Sequence, residues 1–175
     1  MIRRPPRSTL DRSSAASDVY KRQIIWRGPM VHNAINQLLQ STVWGELDFL
    51  IVDLPPGTSD GPLTVMQTLD LDGFVIVTAP QELAMIDAKR SINMIKTLKV
   101  DVLGVVENFS GEIFGTGAGQ DICNELELPF LGKLGLSPDY RDESKPTVLT
   151  SDNVRDEYRL VTSQLELELT KKQTT

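Results

Sequence analysis

Cys123 is the one cysteine and His32 the one histidine in these 175 residues. A single thiol closes no intrachain disulfide and cannot supply the four ligands of an iron–sulfur cluster or a structural zinc, so any such site needs a second chain or outside ligands. No apolar run reaches the ~18 to 20 residues that a membrane helix requires, which excludes a helical membrane span. A Gly-rich run ending in Gly-Lys-Ser/Thr is also missing. With it go the backbone N–H nest, the lysine and the Mg²⁺-binding hydroxyl of the commonest phosphate loop. Without a signal peptide or a disulfide framework, the expected location is the cytoplasm.

The chain is long enough for one domain with a sizeable core. Charged residues at 24% and hydrophobic ones at 40% suit a globular protein. Residues 1–23 stand apart, being Arg- and Ser-rich and lacking apolar periodicity. They read either as a non-native, disordered leader resembling translated adapter sequence, or as a basic tail or transit peptide. They hold six basic residues (Arg3, Arg4, Arg7, Arg12, Lys21, Arg22) against Asp11 and Asp18; taking that +4 from the chain's −6 leaves −10 for the remainder. A surface that acidic argues against nucleic acid as a partner.

From residue 24 to 170, strand and helix patterns alternate. Val31, Ile35, Leu38 and Leu39 predict an amphipathic helix over 30–43, with His32 and Asn33 on its solvated side. Apolar runs at 47–54, 73–78, 102–106 and 130–136 predict buried strands. Helices are predicted over 62–69, over 82–98 (Met85, Ala88, Ile92, Ile95), from GTGAG at 115–119 to 127, and over 152–170 (Val154, Tyr158, Val161, Leu165). Asp87, Lys89, Arg90 and Lys96 fall on a solvated face, and residues 171–175 form a polar tail. GTGAG lacks GxGxxG spacing and a Lys-Ser/Thr ending, so it reads as a flexible start to a helix rather than a phosphate loop. Alternation of this kind gives an α/β fold: a doubly wound, mostly parallel sheet with helices on both faces.

The stretch LDFLIVDLPPGTSD at 47–60 carries the most chemistry. Asp53 stands at the carboxyl end of a predicted strand, where open α/β sheets bind ligands, and Pro55 and Pro56 stiffen the turn that follows. Gly57, without a Cβ, lets its N–H approach an anion such as a terminal phosphate, while Asp53 can hold Mg²⁺ through water. An acid capping a tight turn is the alternative.

Together with WRGPM at 26–30, VTAPQELAMIDAKRSINM at 77–94 and VLGVVENFSGEIFG at 102–115, this stretch resembles the Mrp/ApbC family in order and spacing over residues 24 to about 149. Members are P-loop ATPases related to MinD that carry iron–sulfur clusters to target proteins. The resemblance implies ATP and Mg as cofactors, a homodimer, and iron–sulfur target or scaffold proteins as partners. It makes Asp53 the Walker B acid, Gly57 the γ-phosphate sensor, and Asp60 either an orienter of water or a neighbouring subunit, or a helix cap. Asn108 would read adenine through its amide, with an Asx turn as the alternative, and Pro138 and Asp139 would flank the base. Arg27 reaches either a phosphate or an interface ion pair.

Two departures qualify that resemblance. The phosphate loop and the first switch are absent, which reads as truncation before WRGPM. The fold expected is then the P-loop fold lacking its phosphate-loop strand, with a gap beside the strands at 47–54 and 73–78. The Cys-x-x-Cys pair found in many members is also missing, since Ser110 and Gly111 lead almost directly to Ile113 and Phe114. Cys123 then reads as a core residue and the iron–sulfur ligands as none. The alternative function is a MinD/ParA-like ATP-dependent dimerisation switch with no cluster.

Overall fold

The computed structural model describes residues 28–54, 60–142 and 144–173. Helices α1 (Gly28–Ser41) and α2 (Asp60–Thr68) precede β1 (Phe74–Thr78), α3 (Glu82–Thr97), β2 (Val102–Ser110), α4 (Ala118–Leu126) and β3 (Phe130–Gly135). A 3₁₀ turn (Pro138–Arg141), the short α5 (Thr147–Thr150) and the long α6 (Asp152–Gln173) complete the order. The three strands form one parallel sheet in the order β1-β2-β3. Parallel neighbours need a crossover, and α3 and α4 supply the two.

Helices pack on both faces, although on the second Val77 of β1 stays 60% exposed. On one, Ala88, Ile92 and Ile95 of α3 and Ile122 and Cys123 of α4 pack on Ile76 and Val105. The 3- and 4-residue spacing of the α3 set puts its apolar groups on one stripe. Each fully buried aliphatic side chain among them contributes about 1.5–3 kcal/mol. On the other face, Val161 and Leu165 of α6 pack against Val106, Leu131 and Leu134. Gly104, at the centre of the sheet, permits close approach: a Cβ there would lie 2.7 Å from the Pro129 carbonyl and 2.6 Å from Leu131 Cγ.

The α/β architecture, the parallel pairing and the two helical layers match expectation. Residues 47–54 do not. No strand forms there, and Leu47, Phe49, Leu50 and Ile51 are exposed, Ile51 at 88%. An apolar run becomes a buried strand only when a neighbour takes up its backbone N–H and C=O groups. Among the described residues β1 pairs with β2 alone, leaving its other edge without a ladder partner. Along that edge runs a cleft of about 400 Å³, lined by Leu54, Pro62, Met66, β1 and the inner face of α3. Among the described residues nothing pairs with β1 on this side, and the segment expected beyond the gap is not a strand.

His32 also differs from expectation, being half-buried between helices rather than solvated. Its Nδ1 lies 3.1 Å from Thr64 Oγ1 and its Nε2 2.9 Å from Asn36 Nδ2. Thr68 Oγ1 lies 2.6 Å from Asn36 Oδ1. These polar contacts join α1 to α2.

Candidate functional site

The carboxyl ends of β2 and β3 lie side by side because their ladder continues past Val106, with Asn108 opposite Leu134 and Ser110 opposite Gly135. β2 is thus four residues longer than its apolar run implies. Asn108 is half-buried and lines the cleft beside β1 together with Phe109 and Thr78. Its Oδ1 accepts the N–H of the next residue, Phe109, at 2.9 Å, a contact one residue on rather than the two-residues-on bond of an Asx turn. Pro138 and Asp139 follow β3 at the same end of the sheet, exposed, with the Asp139 N–H donating to Ser137 Oγ at 3.2 Å. Asp53 is exposed and outside the sheet, one residue before the cleft-lining Leu54. Asp60 opens α2, but its side chain lies outside the described residues, as do Gly57 and Arg27. The sheet thus gathers Asn108, Pro138 and Asp139 at one end, while no ladder holds Asp53 there.

Glu107 is the site residue that sequence reasoning missed. It is 1% exposed, yet its carboxylate is surrounded by donors. The Gly119 N–H donates to Oε2 at 2.8 Å, the Gly117 N–H to the same oxygen at 2.9 Å, and the Thr116 hydroxyl to Oε1 at 3.2 Å. Burial pushes the Glu107 carboxyl up, but the Gly119 N–H, the Ser110 hydroxyl, the Gly117 N–H and the Thr116 hydroxyl together outweigh it and hold the group below its ordinary range. GTGAG is therefore an anion nest at a helix N-terminus whose anion is internal. It is neither a phosphate loop nor a flexible start to a helix, because Glu107 pins it. An acid at a strand end, ten and twelve residues before two glycines at a helix start, was the available signal.

A second carboxylate closes the neighbouring strand. Glu157 of α6 accepts the Gly135 N–H at 2.9 Å. Beside it, burial and then the neighbouring Tyr158 and Glu157 push the Tyr140 hydroxyl up to about 12.

Cys123 is buried, and its Sγ donates to the Pro129 carbonyl at 3.3 Å. Burial pushes the thiol up to about 11, which keeps it protonated at neutral pH. Among the described residues, no group of three or more His, Cys, Asp or Glu side chains could hold a metal ion. At the cleft end the Asn108 amide carries both a donor and an acceptor. The phosphate half of a nucleotide finds no matching nest in the described residues, since Glu107 occupies the Gly-rich one.

A family model described as a NUBPL iron-transfer P-loop NTPase matches residues 10–166. The chain belongs to this family. The matched span begins inside the stretch set apart as a leader. The NUBPL-type chain is 41% identical over 159 residues to the iron-sulfur cluster carrier protein of Methanocaldococcus jannaschii, covering 83% of itself and 55% of that relative. It thus spans about half the length of the relative. A nucleotide-binding protein from Archaeoglobus fulgidus, solved in complex with ADP, superposes with a TM-score of 0.57 at 33% identity, over 67% of this chain and 56% of that one. The cell division ATPase MinD of Pyrococcus furiosus superposes with a TM-score of 0.59 over 83% of this chain and 59% of that one. At 20% identity, MinD supports the P-loop NTPase fold alone.

Proposed function

We propose that the chain is part of an ATP-binding and ATP-hydrolysing iron–sulfur cluster carrier, a homodimer that delivers clusters to target or scaffold proteins. Its 41% identity to a relative named an iron-sulfur cluster carrier protein carries the carrier part of the reading. In it, the Asn108 amide reads the adenine edge while Pro138 and Asp139 flank the base. ATP supplies the driving force for the cycle when bound. By the family pattern, Asp53 holds Mg²⁺ through water, Gly57 senses the γ-phosphate through its N–H, and Asp60 orients water or a neighbouring subunit. The cluster is cargo, and its ligands come from outside the described residues.

The alternative, a MinD/ParA-like dimerisation switch, is favoured only by the missing cysteine pair between Ser110 and Ile113. A chimera separates the two. Residues 28–173 replace the aligned segment of the M. jannaschii relative, and the product is assayed for ATP binding and for cluster transfer to an apo-acceptor. The carrier reading expects both. ATP-dependent dimerisation without transfer would establish the alternative instead.

A further inference from the structure

We infer that Glu107 is a positioning residue for base recognition: its buried carboxylate fixes the backbone that orients Asn108 and so sets the preference for adenine. This rests on the reading of Asn108 given under the proposed function.

Asn108 lies between two anchored neighbours. On one side Glu107 accepts the Gly117 and Gly119 N–H groups and the Thr116 hydroxyl. Nearby on the other side, the Ser110 hydroxyl donates to the same Thr116 oxygen at 2.9 Å. The contacts Ser110–Thr116–Glu107 therefore close a ring around the turn that follows Asn108. Inside it, Gly111 and Gly115 exchange reciprocal backbone hydrogen bonds of 2.8 Å, which close the excursion between them.

The ring also holds strain. Phe109 has φ of 58°, in the left-handed region that disfavours a non-glycine residue. That conformation accompanies the bond from the Phe109 N–H to Asn108 Oδ1. With its oxygen engaged, the amide's donor and acceptor ends are assigned rather than free to interchange. Adenine and guanine differ in just this respect, presenting opposite donor and acceptor patterns at equivalent ring positions. A neutral glutamine fits the ring less well than Glu107: the Gly117 N–H also donates to Oε1 at 3.1 Å, and an NH₂ in that position would confront it even with both glycine bonds kept at the other oxygen.

The test uses the full 175-residue chain and competition between ADP and GDP, followed by saturation-transfer NMR. Wild type prefers ADP, and Asn108→Ala removes that preference. Glu107→Gln and Thr116→Val each lower the ADP-to-GDP preference by about threefold to tenfold, the range that one hydrogen bond spans. Thr116→Ser, which returns the hydroxyl, restores it. A merely structural role would weaken both nucleotides alike and leave the ratio unmoved. Thr116 is exposed, so its variants remain informative if Glu107→Gln does not fold. An unchanged ratio in the Glu107 and Thr116 variants, with the ratio lost in Asn108→Ala, overturns this inference alone. No preference in wild type overturns the base-reading role itself.

Discussion

Replacing Glu107 by glutamine tests the internal nest directly. The side chain keeps its volume, but one of the two oxygens that accept from Gly117, Gly119 and Thr116 becomes a donor. A hydrogen bond to a charged group is worth about 1.5–3 kcal/mol, so local opening of the α4 start becomes about tenfold to a hundredfold more frequent. Amide hydrogen exchange reads this residue by residue: Gly117 and Gly119 lose that much protection, while Val105 in mid-sheet keeps its own. The effect also has a pH signature. The folded-state pKa of Glu107 lies below the ordinary 4.5, so its contribution is whole above that value and is lost as pH falls through the lower folded value. Wild type and variant therefore differ at neutral pH and converge in acid. Unchanged protection at Gly117 and Gly119, or a difference that grows on acidification, would refute the nest.

Three further outcomes follow from the geometry. Gly104→Ala places a Cβ within 2.7 Å of the Pro129 carbonyl and is expected to cost about 2–4 kcal/mol, seen as a lower urea midpoint; a loss below about 0.5 kcal/mol would show that β2 and β3 can move apart freely. Anaerobic reconstitution with iron and sulfide is expected to leave the chain nearly colourless, and a stable cluster absorbance that disappears in Cys123→Ser would contradict the inert thiol. The chain is also expected to show no ATPase turnover, since it lacks the lysine and hydroxyl of a phosphate loop. Hydrolysis that vanishes in Asp53→Asn would mean that the phosphate site lies elsewhere.

Elements made by local pattern were readable from the sequence. The stripe of Met85, Ala88, Ile92 and Ile95 is α3, and the apolar runs at 73–78, 102–106 and 130–136 became β1, β2 and β3 because each gained a ladder partner. Residues 47–54 carry an equally strong apolar signal and failed, because pairing is a property of two segments and no described strand borders this one. The site divides in the same way. Asn108 was singled out by its motif, whereas the contacts of Glu107 depend on glycines ten and twelve residues away that only the β2-to-α4 turn brings near. His32 was misread for a similar reason: its partner Thr64 lies 32 residues on, in a helix whose docking nothing local announces.

Among the described residues one edge of β1 has no ladder partner, and such an edge makes the behaviour of the chain a question of concentration. Folding closes contacts within one molecule at a rate indifferent to how many copies are present, whereas capture of an unpaired edge by another copy is second order in protein. Phe74–Thr78 carries no lysine or proline to deter such capture, and the exposed residues Phe49 and Ile51 lie in a segment able to attempt it. Slow expression and dilute handling accordingly shift the competition toward the monomer, and concentration steps shift it back.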